Sequence, residues 1–377
     1  MTSMETSTPS ISVMIPVYGS SSSLDDTLRC LVEDDYPRKE IVVVLDLPTL
    51  DSLSLSKKYS KSVTFDISAK RRGKVESLKR ACSLAKGDTY LFLDSDVAVH
   101  GDHLLSKVAS EIGLSEMIEL KKTVARDTAM SKLVYFEYLG IGAVDWMISS
   151  RIKRCFGLNG AAFAIRKDIF ERVGGFKNVL SEDLDLGLRS YIAGVKFKYC
   201  YDIEVGTFAP RNLTAWLKQR KRWSYGTALW AKDNWKTLLK LLRREPSLCL
   251  PALFLIFPAL LVFVSSFAFN GLAQYDALAL LLLFLPVRGF PVVAIPFFTF
   301  SEMSSLFALS VIMLIGMTAC GVVYYYFGKK LGFGFSIRWF PLYYLLYSPV
   351  WFAAMLWGIS QVFIRRDPVK VDWVIQD

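Results

Sequence analysis

Acidic residues in two short motifs could carry out chemistry on a phosphorylated substrate. Asp94-Ser95-Asp96 directly follows an apolar run, and two carboxylates on such a strand-to-loop turn can hold Mg²⁺ or Mn²⁺, whose other ligands are typically water and phosphate oxygens. Glu182-Asp183 opens a segment with a helical pattern, where a deprotonated Asp183 could take the proton from an attacking hydroxyl. Both motifs also occur as ordinary turn and helix-cap residues, so neither is decisive alone.

A cationic and aromatic cluster follows these motifs. Gln219, Arg222 and Trp223 are spaced i, i+3 and i+4, so on a helix they share one face. That face would offer an amide, a guanidinium for a diphosphate and an indole for stacking on a sugar ring. A snorkelling arginine and an interfacial tryptophan at a membrane surface would have the same pattern.

Strand and helix patterns alternate through the first part of the chain. The strands are continuous apolar runs, which is typical of a parallel sheet covered by helices on both faces. In such sheets ligands bind beyond the carboxyl ends of the strands, where Asp46 and Asp94 lie. Lys74 begins a helix after a basic loop and could meet phosphate there, although a solvated charge run has the same composition. The predicted strands are 11–17, 40–45 and 89–93, and the predicted helices include 24–32 and 74–86.

Hydrophobic residues make up 53% of the 377-residue chain and concentrate towards its end. We therefore predict a soluble head, amphipathic helices at the membrane interface, and an apolar bundle of about four spans. The predicted divisions are a cytosolic head at 1–210, interfacial helices at 211–246, the membrane region at 247–365 and a cytosolic tail at 366–377. The predicted spans are 248–269, 277–300, 305–327 and 340–364.

The second predicted span contains Pro286, Arg288, Gly289 and Pro291, so it could be kinked, broken or re-entrant. Four spans would return the basic tail to the cytosol, as the positive-inside rule prefers. They would also place Lys329, Lys330 and Arg338 outside, which that rule disfavours. If the second segment is re-entrant, Lys329, Lys330 and Arg338 would lie in the cytosol, as the rule prefers. The basic tail would then lie outside, which the rule disfavours.

The net charge of +10 raises the question of a nucleic-acid partner. Lysine and arginine concentrate in residues 218–244, but tryptophans are interleaved there and the first apolar span comes directly after them. This arrangement predicts a surface that faces anionic membrane lipids, and no nucleic acid. The polar N-terminus has no apolar signal-peptide region, and the six scattered cysteines form no CxxC pair that would indicate zinc.

In order, these motifs resemble the membrane-bound family 2 glycosyltransferases with a GT-A head, which include the cellulose, chitin and hyaluronan synthases; ceramide glucosyltransferase is similar in its motifs. The resemblance covers about residues 10–240, and its most specific segments are NGAAFAIRKDIFERVGGF, LSEDLDLGLRSYIAGVKF and LKQRKRWSYG. It implies a Rossmann-like α/β GT-A domain, a UDP-sugar donor, Mg²⁺ or Mn²⁺ and inversion at the anomeric carbon.

The resemblance also implies roles for individual residues. These are Tyr18 and Asp46 at the nucleotide base and ribose; Lys74, Asp94 and Ser95 at the nucleotide sugar; Asp96, with Asp94, at the cation; Asp183 as general base; and Glu182, Gln219, Arg222 and Trp223 at the acceptor and diphosphate. Two positions depart from the family pattern: Asp46-Leu47-Pro48-Thr49 replaces an acidic-acidic-Gly-Ser run, and Lys79 replaces an asparagine.

The leading hypothesis is an integral protein of the cell membrane whose cytosolic head transfers a sugar to a lipid-linked or polysaccharide acceptor. Within it, a processive synthase that exports its chain is the alternative: QxxRW favours that interpretation, and the small membrane region favours single transfer. A transporter with a nucleotide-binding head is a second alternative, disfavoured because no GxxxxGK[ST] phosphate loop is present. A catalytically dead scaffold is disfavoured because Asp94, Asp96, Asp183 and Arg222 are all present.

Overall fold

The structure is a computed structural model that describes residues 8–101, 103–258, 260 and 300–365. Its head is built on a seven-stranded sheet in the order β3-β2-β1-β4-β6-β5-β7. The strands are β1 Ile11–Tyr18, β2 Lys39–Asp46, β3 Thr64–Ser68, β4 Thr89–Leu93, β5 Met117–Val124, β6 Ala162–Arg166 and β7 Phe197–Thr207. The three strands predicted from sequence correspond to β1, β2 and β4.

Helices pack on both faces of this sheet and continue beyond it. They are α1 Leu24–Glu33, α2 Leu50–Lys58, α3 Lys74–Leu84, α4 Leu104–Leu114, α5 Ala129–Ile152, α6 Lys167–Arg172, α7 Glu182–Ile192, α8 Leu213–Arg244, α9 Pro246–Ile256 and α10 Phe300–Lys330. Residues 340–365 form one further helical run, α11, with α-helical turns at Phe340–Leu342 and Ser348–Ser360 and π-helical turns at Tyr343–Tyr347 and Gln361–Arg365.

The sheet is mixed, whereas the sequence predicted a parallel one. Strands β3, β2, β1 and β4 are parallel, but β6 is antiparallel to both β4 and β5. The reason lies in residues 153–161, which return to the carboxyl edge of the sheet before β6 begins, so β6 must run backwards. Its first residue, Ala162, therefore pairs with Leu93 at the end of β4. This brings the residues before β6 next to Asp94.

Alternation along the strands divides the core into two layers. Ile11, Val13 and Ile15 of β1 face the layer that contains α1 and α4, and Met14 faces the layer of α3 and α6. All four side chains are fully buried. Burial on both faces explains why β1, β2 and β4 are mostly apolar runs.

The described apolar helices pack directly against the head. The predicted interfacial region is one continuous helix, α8, capped by Asn212, and it lies beside α11. The indole of Trp216 donates to the hydroxyl of Tyr347 at 2.8 Å, and the backbone of Ser224 meets Gly358 further along both helices. From the first contact to the second, the residue numbers rise along both helices, so α8 and α11 run in the same direction where they touch.

Two described helices are long and apolar enough to cross a membrane, at Ser310–Lys330 within α10 and at Phe340–Ile364 within α11. They correspond to the third and fourth predicted spans. In the first predicted span, α9 ends at Ile256, and most of the remainder of that span lies outside the described residues. The second predicted span lies outside them except for Phe300.

We predict that Gly358→Ala destabilises the protein, because the added Cβ would lie 2.5–2.8 Å from Ser224, whose carbonyl carbon and oxygen cannot move aside. Such overpacking costs about 1–3 kcal/mol. The matched control is Gly113→Ala in α4, where nothing lies within 4 Å of the new Cβ and helix propensity alone predicts a gain of about 0.5–1 kcal/mol. Thermal unfolding in detergent measures both, and equal midpoints for the two variants would contradict the close contact between α8 and α11.

Candidate active site

A lysine at the start of α3 forms ion pairs with acidic residues at the carboxyl edge of the sheet. The Nζ of Lys74 lies 2.8 Å and 3.0 Å from the two carboxylate oxygens of Asp94 and 3.1 Å from Glu182 Oε1. Burial alone would lower the pKa of Lys74. The charges of Asp94, Glu182 and Asp183 outweigh burial and raise that pKa, so the ammonium stays protonated.

Asp46 fixes the loop from which Lys74 projects. Its two carboxylate oxygens accept hydrogen bonds from the backbone N–H groups of Arg72 at 2.7 Å and Gly73 at 2.8 Å. Gly73 has a φ of 88°, a conformation that glycine adopts at low cost. The resemblance placed Asp46 at a ribose. In this structure both of its carboxylate oxygens accept hydrogen bonds from the loop. Tyr18, at the end of β1, lies nearby with its ring 4.9 Å from the guanidinium of Arg71.

The turn after β4 carries the two aspartates of the predicted cation site. The N–H of Asp94 donates to the carbonyl of Ala161 at 2.8 Å, which ties this turn to the residues before β6. The carbonyl of Ser95 accepts hydrogen bonds from the hydroxyls of Ser21 and Ser23, so the Ser95 backbone holds the start of α1.

Asp96 is the carboxylate that best fits a divalent cation. Burial, together with the negative charge of Asp94, raises its pKa to about 6, while Lys74 and Arg222 oppose that shift. A cation would remove this electrostatic penalty. Among the described residues no three His, Cys, Asp or Glu side chains cluster as metal ligands. Asp96 and Asp94 could thus supply two ligands at most, which suits a Mg²⁺-type ion that takes the rest from phosphate and water.

Asp183 is held in one orientation by backbone donors. Its Oδ1 accepts from the N–H of Leu184 at 2.8 Å, and its Oδ2 accepts from the N–H of Gly160 at 3.1 Å. A Cβ at Gly160 would come within 2.8 Å of the Asp183 Cβ, so a glycine is needed there. Its neighbour Glu182 is almost fully buried, and that burial raises the pKa of Glu182 against the opposing charge of Lys74.

Two buried charges that the sequence analysis missed support the loop containing Gly160. Lys122 Nζ lies 2.6 Å from Glu119 Oε1 and donates to the carbonyl of Asn159 at 3.0 Å. The N–H of Asn159 donates in return to Glu119 Oε2 at 3.2 Å. Both side chains come from β5, and charged residues inside an otherwise buried strand were the available signal. The pair positions this loop, and through it Asp183.

Helix α8 carries the predicted cationic and aromatic residues. The positive charge of Arg222 opposes the rise in the pKa of Asp96. Gln219 and Trp223 meet at a different residue, Arg220: Gln219 Oε1 accepts from Arg220 at 2.9 Å, and the Arg220 guanidinium lies 4.2 Å from the Trp223 ring centroid.

Arg220 was also missed from sequence, and it is fully buried. Its Nη2 lies 2.6 Å from Glu137 Oε2 in α5 and donates to the hydroxyl of Tyr347 in α11 at 3.1 Å. The Tyr347 hydroxyl donates in turn to Glu137. This network joins three helices behind Trp223. In the sequence, Arg220 was simply one more cation in a basic run.

Comparison with known proteins identifies relatives of this chain. The family described as "Glycosyltransferase like family 2" matches residues 9–226. A probable glycosyltransferase YdaM of Bacillus subtilis is 27% identical over 237 residues, which cover 58% of this chain and 55% of that protein. The poly-beta-1,6-N-acetyl-D-glucosamine synthase of Staphylococcus epidermidis is 21% identical over 236 residues, covering 60% of this chain and 57% of the synthase. The chain thus matches little more than half the length of these relatives.

Among solved structures, a similar fold is found in the mannosyltransferase PcManGT from Pyrobaculum calidifontis, which was solved in complex with GDP-Man and Mn²⁺. The TM-score is 0.55 at 19% identity, and the match covers 81% of this chain and 87% of that one. At this identity the likeness shows the fold, and that fold is the predicted GT-A α/β arrangement.

We predict that Lys74→Gln destabilises the head by about 1–3 kcal/mol at neutral pH, less than for a fully buried pair because Lys74 is 27% exposed. Without the ammonium, the folded-state pKa of Glu182 should rise further above the unfolded value of about 4.3. A carboxyl with a raised folded-state pKa loses stability as pH rises, so the deficit should grow between about pH 4 and pH 7.

Denaturant unfolding in the presence of a chelator, repeated across this pH range, measures the effect. Lys79→Gln is the matched control, since Lys79 lies on the same helix in an exposed pair with Glu76. A Lys74→Gln deficit that does not change with pH would attribute the loss to packing instead of charge.

Proposed function

The chain belongs to glycosyltransferase like family 2, and from this premise we propose that it is a metal-dependent, inverting glycosyltransferase. It moves a sugar from a UDP-sugar to a lipid-linked or polysaccharide acceptor at the cytosolic face of the cell membrane. The observation that carries the proposal is the convergence of Lys74, Asp94 and Glu182-Asp183 at one edge of the sheet.

The donor diphosphate is proposed to lie between Lys74, at the start of α3, and Arg222, on α8. Mg²⁺ or Mn²⁺ on Asp96, with Asp94, would add positive charge at the departing diphosphate. Lys74 and Arg222 stabilise the same developing charge. Tyr18 and Arg71 are proposed to meet the base, and Asp46 acts through the loop that it fixes.

Asp183 is the proposed general base. As the acceptor oxygen forms its bond to the anomeric carbon, the bond from that carbon to the diphosphate oxygen breaks on the opposite face, which inverts the configuration. The proton of the acceptor hydroxyl passes to the Asp183 carboxylate. The N–H groups of Gly160 and Leu184 keep the carboxylate aimed during this transfer.

Trp223 and Gln219 form the proposed acceptor platform. The indole of Trp223 has one face on the buried guanidinium of Arg220, which fixes the ring, so its other surface can stack on a sugar. Glu182 is proposed to act at the donor diphosphate through Lys74, which it contacts.

Processive synthesis of a polysaccharide is the second candidate. One curated relative is named as a poly-beta-1,6-N-acetyl-D-glucosamine synthase, and several others as glucomannan 4-beta-mannosyltransferases. The QxxRW motif at residues 219–223 favours the same interpretation. Family membership argues against the transporter alternative.

We place the loop 331–339 on the same side of the membrane as the head. The N–H of Gly334 donates to the Tyr135 hydroxyl at 2.6 Å, and Lys121 donates to the carbonyl of Gly332 at 3.1 Å. Lys329 and Lys330 then lie on the cytosolic side, as the positive-inside rule prefers. An even number of crossings must therefore precede this loop, whereas the four predicted spans would place three before it. The re-entrant alternative for 277–300 satisfies this condition.

We also place α11 in the interface beside α8. Helix α8 exposes Lys218, Lys221 and further lysines to its surroundings, so it cannot lie in hydrocarbon. The contacts of Ser224 with Gly358 and of Lys221 with the Trp357 ring hold α11 at the same depth. The outward face of α11 is apolar, as expected for an interfacial helix; its exposed side chains include Leu342, Leu346, Val350, Leu356, Ile359 and Phe363.

We predict that Asp183→Asn lowers sugar transfer by about 10²–10⁴-fold, since it removes the proton acceptor, and leaves donor binding nearly unchanged. The measurement is UDP release from a panel of UDP-sugars with Mg²⁺ or Mn²⁺ and native lipid, following label into organic and aqueous phases. Asp185→Asn is the matched control: the same change on the same helix, at a carboxylate that pairs with Arg189. Near-normal transfer by Asp183→Asn would overturn the assignment.

We predict that Ile337→Cys, at a side chain 78% exposed in the loop 331–339, reacts with a membrane-impermeant maleimide from the same side as the head. The head reference is Leu50→Cys, at a position 84% exposed in α2. Labelling in inside-out and right-side-out vesicles compares the two. If the two sites are labelled from opposite sides, the loop does not lie on the side of the head.

A further inference from the structure

A cavity of about 240 Å³ lies where the start of α5 meets the loop between α10 and α11. None of its lining residues belongs to the site described above. The residues that matter here are Arg126, Lys132, Tyr135, Phe136, Ser336 and Trp339. The lining combines two cations, two hydroxyls and three aromatic rings, and it contains no acidic residue.

Aromatic rings hold both cations of this cavity in place. The guanidinium carbon of Arg126 lies 4.6 Å from the ring centroid of Tyr135, and Lys132 Nζ lies 4.9 Å from that of Trp339. Cations positioned over ring faces in this way lose conformational freedom before any ligand arrives. The Tyr135 ring is itself fixed, because its hydroxyl accepts a hydrogen bond from the N–H of Gly334.

The charge of these cations is not neutralised by a carboxylate. In the described ranges neither Arg126 nor Lys132 has an acidic group within ion-pair distance. The carboxylate of Asp127, the next residue in the chain, accepts a hydrogen bond from the Ser131 hydroxyl at 2.9 Å. The carboxylate of Glu204 forms an ion pair with Lys121 at 2.7 Å. The cavity therefore keeps a net positive charge that an anion could balance.

The position of the cavity indicates where such an anion would come from. The loop that forms one wall connects two apolar helices, α10 and α11, so it lies at the level of lipid head groups in the membrane placement proposed above. Lys330 precedes this loop and Arg338 lies within it, adding positive charge on the same side. Basic pockets between apolar helices on the cytosolic side suit anionic head groups.

We propose that this cavity binds the phosphate of an anionic membrane lipid. Arg126 and Lys132 donate charge-assisted hydrogen bonds to the phosphate oxygens, and the Ser336 hydroxyl is placed to add a further one. The acyl chains would lie along exposed apolar side chains of the neighbouring helices, such as Leu342 and Leu345. The site goes beyond sugar transfer and depends only on the membrane placement, so it can be tested without measuring activity.

The test uses the full chain purified in a neutral detergent. Its thermal unfolding midpoint is titrated with dioleoyl phosphatidylglycerol, with dioleoyl phosphatidylcholine at equal mole fraction, and with inorganic phosphate. The variants are Arg126→Gln and Lys132→Gln. The matched control is Lys167→Gln, which also removes a half-buried lysine lying over a ring, 6.0 Å from the Tyr90 centroid, at the opposite edge of the sheet.

We expect phosphatidylglycerol, and not phosphatidylcholine, to raise the midpoint of the wild-type chain. Each of Arg126→Gln and Lys132→Gln should weaken that response at least about five-fold in lipid concentration, and Lys167→Gln should leave it unchanged. The midpoint in phosphatidylcholine shows whether each variant is folded, and Lys132→Gln, at a half-buried lysine, should keep its fold even if Arg126→Gln does not.

Two outcomes would overturn the site: no response to phosphatidylglycerol beyond that to phosphatidylcholine, or equal weakening by all three variants, which would indicate a general charge effect. If inorganic phosphate stabilises the wild-type chain as strongly and with the same variant dependence, the lipid is the wrong source of the phosphate. Loss of sugar transfer in any variant has no bearing on these readouts.

Discussion

The ammonium of Lys74 is the interaction on which the catalytic edge depends. Carboxylates from β4 and from the start of α7 converge there, and several acidic groups this close would repel each other without a cation between them. The position of Lys74 depends on Asp46, which fixes the left-handed turn at Gly73 through two backbone N–H groups. One buried aspartate at the end of β2 therefore sets the geometry of a site that is assembled from distant parts of the chain.

A second buried cation, Arg220, connects the head to helix α11. It contacts Glu137 of the head and Tyr347 of α11, and Trp223 stacks against it. Removing one partner of such a buried pair typically costs about 3–5 kcal/mol, because the remaining charge stays desolvated. The position of the proposed acceptor platform thus depends on α11, so α11 contributes to the geometry of the site as well as to the proposed membrane attachment.

The sequence analysis predicted features that depend on neighbouring residues, and it missed contacts between residues far apart in the chain. Strands β1, β2 and β4 and the acidic motifs after β4 and at the start of α7 could be predicted from apolar runs and short spacings. The Arg220 contacts join residues 83 and 127 positions apart, and no local pattern distinguishes Arg220 from its basic neighbours. The antiparallel direction of β6 depends on the path of residues 153–161, and the Glu119–Lys122 pair could be recognised only once β5 was known to be buried on both faces.

Helix α5 connects the basic cavity to the network behind Trp223. Its first turns line the basic cavity, the next turn presents Glu137 to Arg220, and Gly140 then allows the Tyr324 hydroxyl of α10 and the Leu255 carbonyl of α9 to approach its backbone. A Cβ at Gly140 would lie 2.7–2.8 Å from these two oxygens, so the approach requires glycine. Since packed helices transmit displacement instead of absorbing it, a lipid bound at Lys132 and an acceptor at Trp223 would both be positioned by the same helix.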